Sequence, residues 1–107
     1  MRQGDIIITN FPFTSLKGSK IRPALIISNG EFNRGVDVIL LGIFGTKSIY
    51  SQEIKQKELA LGHLNKTSYI RFSNLFTLEK DLILKKIGAL SQEGITKISK
   101  QLVNYLN

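Results

Sequence analysis

The stretch DIIITNFPFTSLKGSKIRPALIIS, Asp5 to Ser28, decides the fold. Two β-branched apolar runs, Asp5–Asn10 and Pro23–Ser28, flank a connection marked by Pro12 and Gly18, with no helical period between them. A doubly wound sheet needs a helical crossover between its parallel strands, so this beginning excludes that class. The first run is apolar enough to be buried on both faces. Pro12 ends regular pairing, and Gly18 is free to take a left-handed conformation in the loop. Pro23 is expected at the first position of the second strand, where no ladder N–H is lost.

Outward from this pair, Asn29–Gly35 reads as a turn, with Asn29-Gly30 as a hairpin signal. VDVILLGIF, Val36 to Phe44, is the third and most buried strand, and Gly45–Ser48 breaks it. Ile49–Gln56 is a fourth strand, Lys55–Lys66 a polar surface connection, and Ser68–Phe72 (SYIRF) an alternating strand. Asn74–Leu78 is expected to turn, Leu78–Leu84 to hold a single helical turn, and Lys85–Leu90 to form a last short strand. After Ser91 the period changes. Ile95, Ile98, Leu102 and Leu106 mark one helical face, Ser91 is a suitable N-cap, Glu93 suits the first turn, and Gly94 weakens it. Five to seven short strands and one amphipathic helix predict a mainly β fold, a small and strongly bent barrel closed by that helix. Without a linker or repeat, residues 1–107 read as one domain.

Fifteen Lys and Arg against eight Asp and Glu give a net charge of +7. Such a field favours polyanions, although an acidic protein partner would be attracted equally, and many small basic proteins touch no nucleic acid. Val38–Phe44, the longest apolar run, is far too short to span a bilayer, and the N-terminus lacks the character of a secretory signal. With no Cys and one His, thiolate or His-based metal sites are not expected. A cytoplasmic protein without metal or cofactor is the expectation.

Arg22 precedes Pro23, which pushes its backbone to an extended conformation and fixes the direction of its guanidinium. A planar fork of donors suits phosphate, and Lys17, Gly18, Ser19 and Lys20 add cations, backbone and hydroxyl donors. The competing role is an ion pair with Asp5 or Glu31. Arg71 shares a strand face with Tyr69 and Ser73, composing either a wet cleft or a merely solvated face. Thr46, Lys47 and Ser48 either bind a ligand or complete a turn. Phe11 and Phe13 flank Pro12 and either stack on bases or cover a barrel end, and His63 receives no role.

The run GDIIITNFPFTSLKGSKIRPALIIS, followed by DVILLGIF, TSYIRFSNLFTLEK and KKIGALS, resembles the MazF/PemK (Kid-like) growth-inhibitor toxins over nearly the whole chain. The resemblance implies an SH3-like barrel with a C-terminal helix, usually a homodimer. It also implies metal-independent, sequence-selective cleavage of single-stranded mRNA, with an antitoxin partner and no membrane. On this basis the loop from Phe13 to Ile21 covers the RNA, with Phe13, Lys17, Ser19, Lys20 and Tyr69 as binding residues and Arg22 facing the scissile group. Arg22 matches the family's Arg-Pro arginine, and Arg71 the arginine of the later strand. The implied reaction is attack of a ribose 2′-OH on the adjacent phosphate. Phe44 stands where many members have Thr or Ser, with Thr46 two residues on, and Ser73 stands where some have Asp. Thr46 and Ser73 are therefore the replacement catalytic candidates, and no carboxylate base is expected there. The alternatives are a non-cleaving relative that binds RNA or antitoxin, and a gyrase-poison-like toxin of similar fold that binds protein.

Overall fold

The computed structural model describes residues 1–11 and 20–107. Its strands are β1 (Asp5–Phe11), β2 (Lys20–Ile26), β3 (Asp37–Phe44), β4 (Ser51–Ile54), β5 (Leu59–Leu61), β6 (Ser68–Glu79) and β7 (Ile83–Leu90), followed by α1 (Gln92–Leu106). All neighbours are antiparallel, in the order β4-β6-β3-β2-β1-β7-β5. The sheet curls into a half-barrel, and α1 covers the remaining opening.

The curl has local causes. Along β1 and β7 the register shifts between Ile6 and Ile7 and again between Ile8 and Thr9. Each bulge bends the strand and increases its twist. Between β3 and β6 the shift is larger. Leu41 pairs with Leu75 and Ile43 with Ile70, so two steps on β3 (43 − 41) face five on β6 (75 − 70). Three extra residues are an odd number, and an odd insertion turns a strand over. Ile70 and Phe72 therefore join the core cluster with Leu25, Leu41 and Ile98, whereas Phe76 and Leu78 join the opposite one with Ile7, Ala24, Ile26 and Leu40. Tyr69 and Arg71 are turned to the side of the second cluster.

Both clusters are buried. Ile7, Ile26, Leu40, Leu41 and Ile70 are fully buried, and each such side chain stabilises the fold by about 1.5–3 kcal/mol. The helix forms where its period requires, with Ser91 Oγ accepting from the Gly94 N–H at 3.2 Å. Ile95, Ile98 and Leu102 pack on the first cluster, whereas Leu106, read as part of the same face, is 64% exposed. Gly94 has a packing reason that outweighs its low helix propensity. A Cβ there would stand 3.2 Å from the Glu58 carbonyl oxygen and 3.4 Å from Leu90 Cβ.

The two sheet edges, β4 and β5, are joined in sequence by a 3₁₀ turn over Gln56–Glu58. The helix is tied to β4 and to this turn. Gln101 Nε2 donates to Gln52 Oε1 at 2.7 Å, and Lys97 Nζ meets Glu58 Oε2 at 2.8 Å. Gly88 lets β5 lie close over β7, since a Cβ there would be 2.8 Å from the Leu61 carbonyl oxygen.

Several sequence expectations change. Pro23 lies inside β2, not at its start; the β3 side of β2 pairs only from Ala24 onward, so a residue without N–H is accommodated beside a local edge. Asn29-Gly30 makes no tight hairpin: Asn29 Oδ1 accepts from the Phe32 N–H, starting a 3₁₀ turn over Phe32–Arg34. Asn74–Leu78 is not a turn but the continuation of β6 past its bulge. The Lys55–Lys66 connection contains the unexpected strand β5. The helical turn expected in Leu78–Leu84 is a 3₁₀ turn over Lys80–Leu82.

Candidate functional site

Strand register assembles a row of side chains across one face. The β2–β3 ladder pairs Ala24 with Gly42, and continuing it by two residues sets Arg22 opposite Phe44. Phe44 pairs with Tyr69, and Tyr69 with Glu53. On the other side Arg22 pairs with Thr9, whose hydroxyl donates to the Leu82 carbonyl at 2.8 Å. Thr9, Arg22, Phe44, Tyr69 and Glu53 thus run transversely over five strands. Arg71 lies two residues along β6 from Tyr69, opposite Ser51.

Both arginines converge on the Phe44 ring. The Arg71 guanidinium carbon is 3.9 Å from the ring centre, and that of Arg22 is 5.0 Å away. A cation at this distance over an aromatic face is attracted by the ring quadrupole. Arg71 Nη2 also donates to Thr46 Oγ1 at 2.6 Å and reaches the Thr46 carbonyl at 3.5 Å. The Nε of each arginine is buried without a hydrogen-bond partner. Among the described residues neither guanidinium is ion-paired. Asp5, offered above as a partner for Arg22, instead holds Lys86 Nζ at 3.1 Å and the Arg2 N–H at 2.9 Å. Glu31 is exposed and makes no ion pair with Arg22 either.

Both arginines are half-buried, and cations withdrawn even partly from water ordinarily find carboxylates. Among the described residues the ring and the Thr46 hydroxyl contact these two positive groups without neutralising them. Several N–H donors remain, and they suit a phosphate or a developing phosphorane. Among the described residues no cluster of three His, Cys, Asp or Glu gathers. The perturbed carboxyl lies elsewhere: burial would raise the Glu58 pKa, but the Lys97 hydrogen bond, the Lys55 N–H and the two lysine charges together bring it below the usual carboxylate range.

Of the residues singled out by sequence, the structure brings together Arg22, Arg71, Thr46 and Tyr69. Lys20 is exposed two residues before Arg22. Ser73 is exposed within the bulge of β6, with no hydrogen bond to Arg71. Phe13, Lys17 and Ser19 lie outside the described residues, as does most of the loop they belong to. His63 is exposed. Two residues were missed. Phe44, read as a departure, is the platform of the site. Glu53, which no motif marks, brings a carboxylate from another strand: it sits across from Tyr69 and diagonal to Arg71, half-buried and without an ion pair to it. Alternation against buried Ile54 was the signal that could have found it.

The curled sheet, the latching helix and two arginines that share one ring, without an ion pair among the described residues, define a small basic protein of barrel-like β fold. Residues 2–106 match the family of PemK-like, MazF-like toxins of type II toxin-antitoxin systems, and the chain belongs to that family. Similar solved structures include an endoribonuclease in complex with its cognate antitoxin from a mycobacterial species. It has 21% identity and a TM-score of 0.72, over 99% of this chain and 94% of that one. The Mycobacterium tuberculosis toxin MazF-mt6 has 19% identity and a TM-score of 0.71, over 95% of each chain. A mycobacterial endoribonuclease has 21% identity and a TM-score of 0.68, over 99% of this chain and 90% of that one. At such identities the likeness speaks for the fold. No curated protein matches the chain in sequence. Among the described residues no helix is long and apolar enough to cross a membrane.

Proposed function

We propose that this protein is the toxin of a toxin–antitoxin pair and cleaves single-stranded mRNA sequence-selectively and without metal. Residues 1–107 act as one domain, in the cytoplasm and as a homodimer, held inactive by a cognate antitoxin. The observation that carries this reading is the pair of un-neutralised guanidiniums, Arg22 and Arg71, on one aromatic ring.

In the reaction the ribose 2′-oxygen attacks the adjacent phosphorus, the P–O5′ bond breaks, and a 2′,3′-cyclic phosphate remains. Arg22 and Arg71 stabilise the charge on the phosphorane oxygens. Arginine is too weak an acid to serve as base, so the proton from the 2′-OH goes to Glu53, the carboxylate diagonal to Arg71 across the β4–β6 ladder. The departing 5′-oxygen takes a proton from solvent. Thr46 holds Arg71 and does not itself need to reach the substrate.

The test is incubation of purified protein with mixed-sequence single-stranded RNA in EDTA, with mapping of the new ends. Discrete cuts carrying cyclic phosphates are expected, reduced at least about 100-fold in Arg22→Ala and in Arg71→Ala, with thermal melting showing that both variants fold. Full activity in folded Arg22→Ala would end the assignment. Salt-sensitive binding without cuts would mark a non-cleaving RNA-binding relative.

A further inference from the structure

We infer that Phe44 is a positioning residue of this site: its ring holds Arg22 and Arg71 in place by cation–π attraction and keeps their donors free for the RNA phosphate. The inference deepens the RNA-cleaving reading and rests on it for the identity of the anion, but not for the arginine geometry.

A half-buried arginine that must hold one geometry needs something to fix its long, flexible side chain, because several torsions have to be ordered. A carboxylate would do so, but it would also cancel the charge and occupy the fork that phosphate requires. An aromatic face fixes a cation while occupying none of its N–H groups. The structure meets this condition at both arginines. Arg71 lies 3.9 Å and Arg22 5.0 Å from the same ring centre. Among the described residues neither Nε has a partner, and the guanidinium of Arg71 donates from Nη2 to Thr46. The ring is itself anchored. Phe44 ends β3, pairs with Tyr69, and packs against the buried cluster of Ile7, Ala24, Ile26 and Leu40. It is thus a stiff plate joined to the core and shared by the two cations, which reach it from the strands on either side of β3.

This account differs from the view that Phe44 is simply a missing hydroxyl. If a hydroxyl were wanted there, Phe44→Thr would raise activity. If the ring holds the arginines, the same substitution lowers it.

The experiment uses Phe44→Leu, which keeps apolar bulk without the quadrupole, with Phe44→Tyr as the conservative variant, Phe44→Thr as the discriminating one, and Phe44→Met in reserve should Leu fail to fold. Cleavage of single-stranded RNA is measured with binding of a 2′-O-methyl RNA that cannot be cut. The arginine Nε–H resonances of the free protein are recorded alongside. Loss of the ring should weaken 2′-O-methyl RNA binding and lower kcat/KM by about tenfold, with near-wild-type values in Phe44→Tyr. The shifts that the ring current imposes on the Arg22 and Arg71 side-chain protons should vanish in Phe44→Leu and persist in Phe44→Tyr. Equal losses in Leu and Tyr, no loss in Leu, or a gain in Thr would each overturn the inference. If the wild type cuts no RNA, the function proposed above falls, and the arginine resonances still decide whether Phe44 holds the two side chains.

Discussion

Replacing Thr46 by Val removes one hydroxyl and leaves the shape of the side chain unchanged, which makes it a clean probe of the Arg71 anchor. The hydroxyl accepts from Arg71 Nη2 at 2.6 Å. A buried hydrogen bond to a charged group contributes about 1.5–3 kcal/mol net. Thr46 is exposed, so water takes over the vacated donor, and about 1 kcal/mol of positioning should remain at stake. If Arg71 acts on the transition state, that loss lowers kcat/KM about fivefold. Because Thr46 follows the end of β3 and contributes no core packing, thermal stability should hardly change. The assay is kcat/KM on a fluorogenic RNA oligonucleotide, with melting curves, for Thr46→Val and Thr46→Ser; serine should retain the wild-type rate. Wild-type kinetics in folded Thr46→Val would show that the residue only completes a turn. A loss beyond about a thousandfold would refute the positioning role in the other direction, since only a hydroxyl touching the reacting atoms has an effect of that size.

Glu53→Gln should lower the cleavage rate by about 10²–10⁴-fold while leaving 2′-O-methyl RNA binding intact; an unimpaired rate would remove Glu53 as proton acceptor. The Glu58–Lys97 bridge sets an acid limb for stability. A carboxyl held below its usual range stabilises the fold above that range, and the contribution disappears as pH falls through the lowered value. With Lys97 39% exposed, the effect stays under about 1 kcal/mol. Wild type should therefore melt higher than Glu58→Gln at neutral pH and converge with it in acid, and parallel curves would refute this. Gly88→Ala forces a Cβ to 2.8 Å from the Leu61 carbonyl and should cost about 1–3 kcal/mol in urea unfolding; an unchanged midpoint would show that β5 gives way freely.

The parts of the fold legible in the sequence are those in which residue type and period agree. The β-branched run of β1, the apolar run of β3 and the 3,4,4 spacing of α1 each admit one interpretation. β5 was hidden because three residues, Leu59–Leu61, form no period within a polar segment. The turn-over of β6 was hidden more deeply. Ile70, Phe72, Phe76 and Leu78 all fall at even positions, with only Asn74 and the odd-numbered Leu75 interrupting the alternation, yet the three-residue bulge sends Ile70 and Leu78 to opposite cores. That event also sets Arg71 over Phe44. Arg22 and Arg71 could be named from the resemblance, but their shared ring depends on register, which no local pattern records. Glu53 was overlooked for the same reason: its neighbours come from β6, fifteen or more residues away.

The latch made by α1 has a consequence for the order of folding during synthesis. β1 lies in the middle of the sheet, between β2 and β7, so its second ladder waits for a strand more than seventy residues later in the chain. α1, which ties β4 to the Glu58 turn, leaves the ribosome after every strand. Until then the apolar surface awaiting Ile95, Ile98 and Leu102 stays uncovered, and both edges are unsealed. Such non-local pairing is slow to form. Arg22 and Arg71 share the Phe44 ring only after β6 has paired with β3, so the growing chain carries no assembled site before that pairing.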